Sequence, residues 1–110
     1  MSTKFSLTKN TKDYSGITLY QIKAEMSFGS VVKGELGGWI EKKENLDNDG
    51  DAWISGDARV SGDAWVSGDA WISGNARVYG DAQVSGNAWV YGDARVSGNA
   101  WVSGNACVYD

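Results

Sequence analysis

The chain contains no proline and no histidine, and only one cysteine, Cys107. A lone cysteine cannot form an internal disulfide, so the fold does not rest on oxidation. Without histidine the commonest general base and the commonest metal ligand are missing, and one thiol falls short of the three or four ligands that zinc requires. Long apolar runs are missing as well. The opening MSTKFSLTKNTKDY lacks the apolar centre of a signal peptide, and no segment approaches a membrane span. These absences lead to the expectation of a cytoplasmic protein with no cofactor and no membrane contact. Basic residues number 10 against 14 acidic ones, for a formal charge of −4. Residues 1–49 hold seven Lys and seven acids, whereas the remainder holds three Arg and seven Asp. That acidic balance disfavours nucleic acid as a partner. At 110 residues the chain has room for one domain.

What the sequence does have is a repeat. From Gly50 it reads GDAWIS GDARVS GDAWVS GDAWIS GNARVY GDAQVS GNAWVY GDARVS GNAWVS GNACVY, ten six-residue rungs without insertion. The rule is Gly-(Asp/Asn)-Ala-x-(Val/Ile)-(Ser/Tyr). Period-2 alternation puts Ala and Val or Ile on one face, and x with Ser or Tyr on the other. Gly-Asp and Gly-Asn tolerate turn dihedrals and supply the corner. Six residues are too few for a hairpin ladder with its own turns, but they suit one side of a triangular coil. Three rungs, 18 residues, then make a turn, and successive turns stack at about 4.8 Å.

Counting by 18 sorts the variable position into three columns. One carries Trp53, Trp71, Trp89 and Cys107, the second Arg59, Arg77 and Arg95, and the third Trp65, Gln83 and Trp101. Tyr79, Tyr91 and Tyr109 fall beside these columns and widen their apolar surface. The Trp column is expected to be an exposed ladder of stacked indoles. Such a ladder stabilises a sheet by cross-strand packing, but an exposed indole stripe also marks a protein contact, for which Trp is a favoured anchor. The Arg column sets like charges about 4.8 Å apart. Either Asp57, Asp93 and other corner acids offset them, or an anionic partner does. The corners stack as Asp51-Asp69-Asn87-Asn105, Asp57-Asn75-Asp93 and Asp63-Asp81-Asn99, where Asn can hydrogen-bond along the column and dilute the charge.

The rungs resemble the left-handed β-helix of hexapeptide-repeat proteins, in which a large aliphatic is followed four places on by a small residue. Val60 and Ala64, Val66 and Ala70, and Ile72 and Ala76 fit that pattern. The resemblance implies an all-β, left-handed parallel β-helix with three hexapeptide rungs per turn. Upstream, FSLTKN and ITLYQIKA read as two strands joined by the polar TKDYSG stretch. Ile40, Leu46 and Ala52 lie six apart, so the coil begins irregularly. Residues 1–46 are read as a small N-terminal β cap or a partner-binding segment, and residues 47–110 as the coil. ITLYQIKA and VVKGELGGWIEKKENL, running into G-(D/N)-A-x-V rungs, resemble phage and prophage hexapeptide-repeat proteins.

That resemblance implies a phage-related origin, action in the host-cell cytoplasm and, by analogy, inhibition of host defence machinery through a host protein partner. The regular end at Asp110, after three and a third turns, leaves an open edge. With the indole face it leads to the expectation of a homo-oligomer, a dimer or trimer. The function expected is a non-catalytic protein-interaction module, with a structural self-assembling β-helix as the alternative. A hexapeptide acyltransferase is disfavoured, because such enzymes typically use a histidine base and loops protruding from the coil. If Val78 points inward, Val78→Asp buries an unpaired carboxylate and unfolds the coil. A soluble variant with an unchanged melting temperature would contradict the assigned inward face.

Overall fold

The computed structural model describes residues 4–14, 16–48 and 50–109. From Trp53–Ile54 onward, strands of two or three residues recur at every rung, ending with Cys107–Tyr109. Each pairs in parallel with the strand 18 residues further on: Trp53 with Trp71, Arg59 with Arg77, and Trp65 with Gln83. The chain is therefore an all-β parallel β-solenoid, closed at its N-terminal end by a small β hairpin.

The ladder follows from the rung. The amides of the Asp or Asn, of the variable residue and of the closing Ser or Tyr donate to the Gly, Ala and Val carbonyls of the next turn. In the second rung these are Asp57 to Gly74 at 3.0 Å, Arg59 to Ala76 at 2.9 Å and Ser61 to Val78 at 2.9 Å. Ala52 through Ala94 and Ile54 through Val96 fill the interior and are buried. One small and one branched side chain per rung suit a prism too narrow for anything longer. The corners stack closely. At Gly68, with φ of +66°, an added Cβ would lie 2.9 Å from the Gly86 nitrogen, so conformation and space both select glycine.

A ladder of this polarity leaves carbonyls pointing out of the first turn, and each needs a donor. Three devices supply them. Over the Arg face, strand β3 (Leu36–Ile40) runs parallel to Arg59–Val60; Trp39 N–H donates to Ala58 O at 3.0 Å and Glu41 N–H to Val60 O at 3.1 Å. This strand sits so close that a Cβ on Gly37 would lie 2.5 Å from Ile54 O. Over the third face, the buried Asn45 of the 3-10 turn Lys43–Asn45 donates through Nδ2 to Gly62 O at 3.1 Å and Ala64 O at 2.8 Å. Its Oδ1 accepts the amides of Glu41 and Lys42. Over the Trp face, buried Lys4 donates through Nζ to Ala52 O at 2.8 Å and Gly50 O at 3.4 Å, with the Phe28 ring centroid 5.0 Å away.

The cap departs from the expected pattern in two places. Strand β1 (Phe5–Tyr14) continues through the polar TKDY stretch, which was expected to be a connection, and pairs antiparallel with β2 (Ile17–Ala24) after a register shift between Leu7 and Thr11. Pairing satisfies that backbone, and Lys12 lies across Trp39, its Nζ 4.3 Å from the ring. Ser15, also in the expected connection, lies outside the described residues. The order β1-β2-β3 extends the Arg-face sheet to six strands. Second, Trp39 pairs with Arg59 and Leu46 bridges Val66, each 20 residues apart. Residues 36–46 thus already run in the coil's register, in a first turn two residues longer than the rest. In the last turn Ala100 and Ala106 are exposed and Val102 and Val108 half-buried; Asp110, where the open edge was expected, lies outside the described residues.

Removing the Asn45 amide strands two carbonyls and two amides at a buried edge. Asn45→Ala is expected to lower stability by about 2–3 kcal/mol, and Asn45→Asp by more, since it turns a donor against Gly62 O and Ala64 O. Urea unfolding measures both, and an unchanged midpoint for the Ala variant would rule out the edge-capping role.

Candidate functional site

The solenoid aligns the variable residues as the 18-residue count requires. Trp53, Trp71, Trp89 and Cys107 pair level by level on one face. Arg59, Arg77 and Arg95 pair on the second, and Trp65, Gln83 and Trp101 on the third. The closing position adds Tyr91 and Tyr109 to the Trp face and Tyr79 to the Arg face.

The Trp face is graded along the coil. Trp53, expected on the exposed stripe, is 0 % exposed, Trp71 is half-buried, and Trp89 is 55 % exposed. The cap is the cause: Phe28 packs edge-on against the Trp53 ring at 5.4 Å. This covering leaves the Trp53 indole N–H buried without a hydrogen-bond partner among the described residues, a cost of about 1–3 kcal/mol set against the area buried. Nor do the indoles stack on one another as expected. The ring contacts among the described residues of the exposed part are Trp89 edge-on to Tyr91 at 6.4 Å and Tyr91 stacked on Tyr109 at 5.2 Å. Backbone register fixes the Cα atoms, but bulky rings tilt within it. Between the cap loop and this tyrosine pair lies a groove of about 560 Å³, lined by Ser30, Trp71, Ser73, Trp89 and Tyr91. Ser73 is found by the same count that finds Trp71. Nothing in the sequence places Phe28 or Ser30 there.

The Arg face is headed by Lys12, whose Nζ lies 3.9 Å from Asp57. Arg77 and Arg95 form no ion pair with any described residue, so the expected compensation by Asp93 is not made. Its column is instead engaged lengthwise, Asn75 Nδ2 donating to Asp93 Oδ1 at 3.3 Å. On the third face Trp65 and Trp101 stand exposed on either side of Gln83. Lys42 Nζ meets Asp63 Oδ1 at 2.7 Å. That hydrogen bond holds the Asp63 carboxyl below, and the Lys42 ammonium above, their ordinary ranges. The pair therefore survives through neutral pH, being lost only below the ordinary carboxylate range or above the ordinary lysine range.

Among the described residues no three His, Cys, Asp or Glu side chains are grouped to hold a metal ion, and no helix is long and apolar enough to cross a membrane. The surface consists of columns on flat faces, and the corner carboxylates project into solvent. What such an arrangement offers is contact.

Fold and surface together define a β-solenoid repeat protein with six-residue rungs. Residues 52–68, 70–86, 82–97 and 88–104 match the YdcK Beta solenoid repeat family, to which the coil is similar. No curated protein matches the sequence.

The unpaired guanidinium column has a measurable consequence. Arg77→Gln is expected to raise stability by about 0.2–1 kcal/mol at low salt by relieving repulsion with its column neighbours, with the gain vanishing at high salt. Melting temperatures across a salt series test this; a salt-independent loss of stability would mean that Arg77 is held by attraction.

Proposed function

We propose that this chain is a non-catalytic structural module that self-associates side by side through the face bearing Trp71, Trp89, Tyr91 and Tyr109. The observation that carries the reading is the exposure of Trp89 and Tyr109, at 55 % and 66 %, within one contiguous aromatic surface. An apolar surface of this kind on a water-exposed sheet gains by being covered. The strand positions of this face carry no charged side chain, whereas a contact between two Arg faces would oppose guanidinium groups. For a chain of net charge −4, the uncharged face is the one on which a like-charged copy is least repelled. The non-catalytic part of the reading is supported by the missing histidine and by rungs that carry no loop to enclose a substrate.

A second reading, a recognition module for another protein as the phage-type resemblance suggests, is favoured by the unpaired Arg77 and Arg95. An acidic partner surface would relieve that column.

Sedimentation equilibrium distinguishes the two. Self-association gives a mass that rises above the monomer with concentration, and Trp89→Ala weakens it by tenfold or more, about the effect of losing an interface anchor, with an unchanged β spectrum. A native chain that stays monomeric at every concentration would sink the assembly reading.

A further inference from the structure

Resting on that reading, we infer that two copies pair antiparallel across the Trp face, with the twofold axis passing between the levels of Trp71 and Trp89. The face has four levels, headed by Trp53, Trp71, Trp89 and Cys107. An axis lying in the contact plane and perpendicular to the coil inverts this order while keeping lateral position. Each column then meets itself upside down, the first level against the fourth and the second against the third.

Every column on this face is complementary to its own inverse. The closing residues run Ser55, Ser73, Tyr91, Tyr109, two small and then two large. Inversion sets Ser73 against the second copy's Tyr91 and Ser55 against its Tyr109. The groove that Ser73 lines thereby receives a tyrosine ring. In the indole column Trp71 meets Trp89, and the level of Trp53 meets Cys107. Trp53 is the level overlaid by Phe28 and the cap loop, and it falls opposite the smallest residue of the column.

The corners agree. One edge runs Asp51, Asp69, Asn87, Asn105 and the other Asp57, Asn75, Asp93. Inversion pairs Asp69 with Asn87, Asp51 with Asn105 and Asn75 with Asp93, so each carboxylate faces an amide that can donate to it. All six residues are exposed, leaving them free to do so. A parallel pair, with the axis along the coil, would keep levels and exchange edges. It would bring the two cap loops together at the level of Trp53, holding the aromatic surfaces apart, and set Asp51 against Asp57.

The test transposes the corner charge. Asn and Asp both occur at this corner in other rungs, so neither change disturbs the turn. Asn87→Asp places a carboxylate opposite the second copy's Asp69 and, because the contact occurs twice per pair, is expected to weaken the dimer about tenfold at low salt. Adding Asp69→Asn to the same chain restores an amide opposite each carboxylate and should return the dissociation constant to within about twofold of native. In a parallel pair Asn87 would face Asp93 and Asp69 would face Asn75, so the second change would restore nothing. Sedimentation equilibrium reads all three chains. An unaffected Asn87→Asp dimer, or a weakened one that Asp69→Asn does not restore, overturns the antiparallel register while leaving self-association in place. A monomeric native chain overturns both.

Discussion

Each turn of this coil is fastened to the next by three amides per rung, donating to Gly, Ala and Val carbonyls 17 residues further along. Nothing else in the structure would stand without that ladder. It fixes the 18-residue turn, puts like residues over one another and keeps every Ala and Val inside. A one-residue insertion would turn the corner carboxylates of all later rungs toward the prism, because side-chain direction alternates strictly along a strand. The uninterrupted repeat is thus what the hydrogen-bonding geometry demands.

A continuous ladder creates its own difficulty at the first turn, where carbonyls would otherwise face water or the core. The chain meets it with three chemically different donors: the backbone of β3, the side-chain amide of Asn45 and the ammonium of Lys4. None of the three repeats, which matches their position at the one place where the repeat has no neighbour. The same cap shapes the outer surface. By laying Phe28 across Trp53 it converts a uniform indole column into a face with a covered end, a groove and an exposed end.

Because Ala and Val alone satisfy the interior, the variable and closing positions carry little structural duty. Their chemistry can change from Trp to Arg to Gln without altering the coil, so specificity resides in the order of residues along each column. On the Trp face that order is polarised in three columns at once: Asp before Asn, small before large, indole before thiol. Polarised columns of fixed pitch suit an inverted copy of themselves, since the rise is common to both and a contact made at one level recurs at the next.

The architecture was legible from the residues: ten rungs in one register dictate the turn length, the inward Ala and Val, and the assignment of each Trp and Arg to a face, because parallel pairing depends only on spacing. The segments that do not repeat were not legible. Whether TKDY joined β1, whether residues 36–46 entered the coil, and which side chain covered Trp53 all depend on contacts between parts of the chain 15 to 45 residues apart with no shared period. Local pattern is silent about such contacts, since a polar stretch pairs as well as it loops and an aromatic ring is covered or bare according to what folds over it. The sequence alone determined the columns, through the fixed geometry of the ladder. Only the tertiary structure decided which parts of them face water, because burial depends on the cap's packing, and packing has no periodicity to read.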